Sequence, residues 1–144
     1  MEEIKAKGGQ DYLKTLKTQE KGKRILISGS HGLIGSSLIP LLTSIGRHKI
    51  SRLVRKANNN NMDLLPETNK EDKKTIFWDP QDNKLDPYEL EGFDIIIHLA
   101  GENIFGKWTK EKKKKLSESR INTTSTLCER LASLDEPPSV LVSV

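Results

Sequence analysis

Apolar residues in this chain fall in short blocks, and the blocks switch between an unbroken run and a helical spacing. Ile25 to Ile27 is unbroken; Leu33, Ile34, Leu38, Leu41, Leu42 and Ile45 then recur at helical intervals. Lys49 to Arg55 carries Ile50, Leu53 and Val54, and Thr75 to Trp78 is a short β-prone run. Phe93 to Ala100 is apolar throughout except for Asp94 and His98, as a strand buried on both faces of a parallel sheet should be. Leu116, Thr123, Leu127, Leu131 and Leu134 form one stripe of a long helix, and Ser139 to Val144 reads as a last buried strand. The pattern predicts five strands alternating with helices, an α/β chain built on a parallel sheet.

Boundary signals sharpen these elements. Gly46 closes the first helix, and Pro40 inside it predicts a local bend. Thr109 is placed to cap the long helix, which runs to about Ser133 with Pro137-Pro138 beyond it. Leu85 to Leu90 allows one helical turn before Gly92. Residues 58–74, with four consecutive asparagines and many charges, read as a mobile loop in place of a second helix. Residues 1–22 read as a polar tail or linker, leaving 23–144 as the folded domain.

Candidate chemistry lies where the first strand gives way to the first helix. Lys-Arg-Ile-Leu-Ile-Ser-Gly-Ser-His-Gly-Leu-Ile-Gly, residues 23–35, spaces glycines at 29, 32 and 35. Strand, glycine turn and helix in this order are what a dinucleotide site requires. Gly29 permits the sharp turn, Gly32 lets a pyrophosphate approach the backbone, and Gly35 lets the helix lie close to the strand. The free N–H groups of the first helical turn then attract the phosphates. A P-loop is excluded, because no Gly-Lys-Ser/Thr follows.

Arg55 lies 20 residues beyond Gly35, where the ribose-reading residue belongs. A carboxylate there would accept from the free 2′-hydroxyl of NAD. An arginine instead pairs with the 2′-phosphate of NADP, so Arg55, helped by Arg52 or Lys56, favours NADP(H); the competing reading is a solvated charge at a strand end. Ala100 and Gly101 are small enough to let a cofactor cross the end of the fourth strand. His98 reads as a buried, hydrogen-bonded histidine with no companion ligand for a metal. Arg120 falls near the inward stripe of the long helix, within reach of a cofactor.

Composition adds limits. The 144 residues, 34% hydrophobic and 31% charged, suffice for one core. Much of the net charge of +4 comes from Lys110 to Lys115, which lacks the interleaved aromatics that stack on bases, so a nucleic-acid partner is not expected. The single cysteine, Cys128, excludes an internal disulfide and fits a reducing compartment. No stretch approaches the about 18 apolar residues of a membrane helix, and no secretory or organellar leader is evident. A cytoplasmic protein with no membrane partner is expected.

On Ile-Ser-Gly-Ser-His-Gly-Leu-Ile-Gly at 27–35, Leu-Val-Arg at 53–55, His-Leu-Ala-Gly-Glu-Asn-Ile at 98–104 and Ser-Arg-Ile-Asn-Thr-Thr at 119–124, with Trp108 between, the chain resembles a known family. It is the epimerase-like branch of the extended short-chain dehydrogenase/reductases, in its atypical Leu-Ala-Gly-Glu-Asn subgroup. The resemblance implies a Rossmann-type doubly wound parallel sheet of order 3-2-1-4-5, here stopping after strand five, that binds NADP(H). It puts Gly29, Gly32, Leu33, Ile34 and Gly35 at the pyrophosphate turn and Val54 and Arg55 at the adenine ribose. Leu99, Ala100 and Gly101 lie along the cofactor, with Lys115 and Arg120 reaching it from the long helix. By analogy the activity is oxidoreduction or epimerisation of a small, sugar-nucleotide-like substrate, and pairing of two copies through helices is implied.

The departures matter as much. Ser28 stands where threonine is usual. In this superfamily a serine or threonine past strand five and a Tyr-x-x-x-Lys pair carry the proton transfer, and neither Tyr12 nor Tyr88 has a lysine four residues later. The sixth strand and the substrate region of the family are also lacking, which would leave strand five as an exposed, flat, apolar edge. The chain therefore reads as the N-terminal, cofactor-binding part of a longer enzyme, with no catalytic residue of its own. The alternative is a non-enzymatic nucleotide-binding or regulatory module, since some relatives are labelled cell-division inhibitors.

Overall fold

The computed structural model describes residues 22–56, 75–79 and 84–144. Five parallel strands, β1 (Arg24–Ser28), β2 (Lys49–Arg55), β3 (Thr75–Trp78), β4 (Ile95–His98) and β5 (Val140–Ser143), lie in the order β3-β2-β1-β4-β5. Helix α1 (Leu33–Ile45) follows β1, a 3-10 turn (Pro87–Leu90) precedes β4, and helix α2 (Lys110–Ala132) joins β4 to β5. This is the doubly wound order that the resemblance implies. The tail at 1–22, apart from Gly22, and the loop at 58–74 lie outside the described residues.

Alternation along the central strands explains the two layers. Ile25, Ile27 and Ile50 point to the face that α1 covers through Ile39, with Leu42, Ile95, Ile97 and Leu99 beside them. Leu26, Leu53, Ile76, Trp78 and Ile96 point to the other face, against Leu127, Leu131 and Leu134 of α2 and its exit, Leu90 of the 3-10 turn and Phe93. Every residue of the α2 stripe read from the sequence is buried. Thr109 caps α2, its hydroxyl accepting from the Lys112 N–H. Glu111 offsets the lysines at that end: hydrogen bonds from its own backbone N–H and the Thr109 hydroxyl hold its carboxyl below the ordinary range.

Two expectations are corrected. The apolar spacing gives α1 a face of Leu33, Ile34, Leu38, Leu41, Leu42 and Ile45, yet Gly35 and Ile39 are its buried residues, while Leu33 is 85% exposed and Ile34, Leu41 and Ile45 are also exposed. Two stripes about a quarter turn apart are available, 35-39-42 and 34-38-41-45, and a glycine decides between them. A Cβ on Gly35 would lie 2.4 Å from the Gly29 carbonyl oxygen, so Gly35 alone allows this close approach and turns its own stripe inward. That contact is with the glycine turn rather than with the strand.

Second, β5 is not the buried strand its composition suggests but the exposed apolar edge expected in the absence of a sixth strand. Among the described residues it pairs with β4 alone, and Val140, Leu141 and Val142 are each at least 40% exposed. Gly46 ends α1 as expected, in an extended conformation (φ −145°), and its lack of a side chain makes room for the His48 ring. The helix itself continues through Pro40.

Replacing Gly35 by alanine is expected to destabilise the fold by about 1–3 kcal/mol, the usual cost of overpacking a tight contact. Urea unfolding measures this, and an unchanged midpoint would show that the turn can shift without loss.

Candidate functional site

The crossovers from β1 and β4 leave toward opposite faces, α1 on one and α2 on the other, which opens a crevice at the carboxyl ends of these adjacent strands. Gly29 begins its floor. It takes φ +68°, and a Cβ there would lie 2.6 Å from the Leu99 carbonyl carbon, so only glycine can leave β1 beside the backbone leaving β4. The Gly29 carbonyl accepts the Gly32 N–H at 3.0 Å, which closes the turn. Gly32 caps α1 without a side-chain hydrogen bond, and the first turn of the helix holds no acidic residue. The N–H groups of Leu33, Ile34 and Gly35, which have no partner within a helix, therefore remain available to an anion.

The crevice has a volume of about 1500 Å³, more than the ~300–1,000 Å³ of most small-ligand pockets, because it runs along the carboxyl ends of β1 to β4 and is open at the side. Gly29, Gly32, Val54, Arg55, Leu99, Ala100, Gly101 and Lys115 line it. Arg55 ends β2 with its side chain exposed, directly across the ladder from Trp78. Leu33, Ile34 and Gly35 meet the crevice by position at the helix end and are not among its lining residues. Arg120 also lies off the lining: its guanidinium packs on Gly101, within 3.4 Å of where a Cβ would stand.

Beneath the floor, His98 is 1% exposed and bonded at both ring nitrogens. Nδ1 is 2.7 Å from the Ser28 hydroxyl and Nε2 is 3.3 Å from the Thr123 hydroxyl. Thr123 donates its own proton to the Ser119 carbonyl, so it accepts from Nε2–H; Nδ1 then accepts from Ser28, whose oxygen accepts the Ala100 N–H at 3.3 Å. The tautomer follows from the chain of donors. Burial lowers the His98 pKa, which agrees with a neutral ring. A histidine committed at both nitrogens joins β1, β4 and α2 and is not a base open to the crevice.

The segment after β4 is tied to α2 in the same way. The Glu102 N–H donates to Ser119 Oγ at 3.1 Å, and Lys112 Nζ stands 3.5 Å from the Glu102 carboxylate. One lysine of the basic run is thereby paired, and Lys114 pairs with Glu118 one turn along. Tyr88 sits on the turn that enters β4, at the opposite edge of the sheet. Among the described residues no cluster of histidine, cysteine or carboxylate groups is arranged to hold a metal ion.

Sequence reasoning missed part of this lining. His31 belongs to it, as do Asp79 at the exit of β3 and Asn122, Thr126 and Glu129 on α2. Trp78, read as core, is both core and wall. The sheet order held the signal for Asp79, because strands two and three end side by side. Arg52, suggested as a helper to Arg55, instead places Nη1 3.3 Å from His31 Nε2 in the glycine turn.

Comparison with known proteins agrees with this geometry. Residues 25–143 match the sequence profile of the NAD dependent epimerase/dehydratase family. The chain is 32% identical over 124 residues to the epimerase family protein SDR39U1 of Bos taurus and 30% identical over 120 residues to the epimerase family protein YfhF of Bacillus subtilis. These alignments cover 84% and 82% of the chain, and the chain spans only 36% of either relative. A nucleoside-diphosphate sugar epimerase from Corynebacterium glutamicum superposes with a TM-score of 0.60 at 27% identity, over 93% of this chain and 25% of that one. No described helix is long and apolar enough to cross a membrane.

The His98 geometry carries a pH dependence. Its folded pKa lies below the ordinary histidine value, so its contribution to stability is complete above that value and is lost as pH falls toward the folded pKa, because the unfolded chain takes up the proton first. Urea denaturation between about pH 8 and about pH 5.5 is expected to show a loss in the wild type that is smaller in His98→Gln. Equal losses in the two chains would contradict the assignment.

Proposed function

The chain belongs to the NAD-dependent epimerase/dehydratase family, and we propose that it forms the NADP(H)-binding part of a short-chain reductase or epimerase acting on a small, sugar-nucleotide-like substrate. One observation carries the cofactor preference: β2 ends on the crevice in Arg55-Lys56, where an NAD-specific site would place a carboxylate. A guanidinium donates charge-assisted, bidentate bonds to a 2′-phosphate and has nothing comparable to offer a 2′-hydroxyl.

The groups along the crevice fit the rest of the molecule. A Cβ on Gly32 would meet only the Gly29 oxygen, at 3.3 Å, so the turn leaves room beside it for a pyrophosphate over the uncapped end of α1. Leu99, Ala100 and Gly101 offer backbone and small side chains to the length of the cofactor, and Lys115 offers a cation from the far wall. Arg120 acts through Gly101, holding the segment against which the cofactor lies. The bound nicotinamide would supply hydride transfer. The hydroxyl and the Tyr-x-x-x-Lys pair that move the proton are assigned to sequence outside these 144 residues, which span about a third of the relatives' length.

Titration followed by nicotinamide fluorescence should show saturable binding that favours NADPH over NADH. Arg55→Ala is expected to reduce the preference by about tenfold or more, from loss of a hydrogen bond between charged groups. A folded chain that binds both cofactors equally would refute the preference, and one that binds neither would refute the site.

A further inference from the structure

The glycine turn carries a side chain that the fold does not require. His31 follows Ser30, is exposed, and enters the same crevice as Arg55. Its Nε2 lies 3.3 Å from Arg52 Nη1 and its Nδ1 lies 3.3 Å from Ser30 Oγ. A guanidinium can only donate, so Nε2 must accept, and the imidazole in this arrangement is neutral with its proton on Nδ1. Two groups able to carry positive charge thus hold each other at the glycine turn, where His31 lines the crevice.

We propose that His31 and Arg52 form a second, proton-coupled clamp on the 2′-phosphate of the cofactor, with His31 a residue that determines specificity alongside Arg55. The proposal rests on the preference for NADP(H) argued above. An entering phosphate offers acceptor oxygens to both partners. Arg52 Nη1–H turns from His31 to the phosphate, and Nε2, released from accepting, takes a proton from solvent and donates it in a second charge-assisted bond. Histidine suits the task because its ring can change charge near neutral pH. The charged groups that line the crevice with His31 are Arg55 and Lys56 from β2 and its exit, Asp79 from the exit of β3, Glu102 after β4, and Lys115, Glu118 and Glu129 from α2, with Arg52 held beside His31 itself. The turn entering α1 brings no carboxylate to compete for the clamp.

The test compares 2′,5′-ADP with 5′-AMP as probes, by calorimetry on the 144-residue chain, on H31Q and on R55A, at about pH 6 and about pH 8.5. The phosphate titrates near pH 6 itself, so the comparison between chains is the readout. At the lower pH the affinity ratio of 2′,5′-ADP to 5′-AMP is expected to be about tenfold higher in the wild type than in H31Q, and at the higher pH the two should agree. In buffers of different ionisation enthalpy, the wild type should take up more protons than H31Q on binding 2′,5′-ADP, and no more on binding 5′-AMP. Matching ratios and proton counts in H31Q and the wild type would overturn the clamp. Loss of the ratio in R55A at both pH values, with H31Q unchanged, would leave the Arg55 reading standing alone. A wild-type ratio near one at both pH values would overturn both readings.

Discussion

The peptide of Gly29 is the point on which the carboxyl edge of the sheet converges. Its left-handed backbone brings the end of β1 against the backbone of Leu99, its carbonyl accepts the Gly32 N–H, and the same oxygen leaves space for no side chain at Gly35. Strand β4, the start of α1 and the rotation of α1 about its axis are all fixed by that one group. Any Cβ at 29 would push β4 away, and any Cβ at 35 would lift the helix from the turn. The helix end is consequently held open, uncapped and free of acidic residues, at the switch point of the sheet.

A second constraint lies directly beneath. Ser28, His98 and Thr123 connect β1, β4 and α2 through buried hydrogen bonds that run in one direction from the Ala100 N–H to the Ser119 carbonyl. Such a network is costly when a member is missing and rigid when complete. Both the turn and the network act on the same few ångströms of backbone, Leu99 to Gly101. The position of that wall of the crevice is therefore set from two sides, by the glycine turn and by the buried network.

Much of this was legible in the sequence because it rests on short-range rules. The glycine spacing, the unbroken strands at 25–27 and 95–97, the Thr109 cap and the α2 stripe each follow from local stereochemistry and period. The face of α1 was not legible, since two apolar stripes compete and the winner depends on an oxygen six residues away from Gly35 in sequence. The exposure of β5 is not contained in its local pattern, which reads as a buried strand; it follows from the strand order that the resemblance implies, which puts β5 at the edge. The partnership of His31 with Arg52 joins residues 21 apart through the register of β1 on β2. Contacts of that kind appear only when the sheet is assembled.

The central claim is that a dinucleotide lies across this edge with its phosphates on the start of α1. Backbone amide shifts in an NMR titration of the isotope-labelled chain with NADPH test it most directly. The account predicts the largest changes at Gly32 to Gly35 and at Leu99 to Gly101. Changes confined to the lysines at 110–115, with the glycine turn silent, would contradict it.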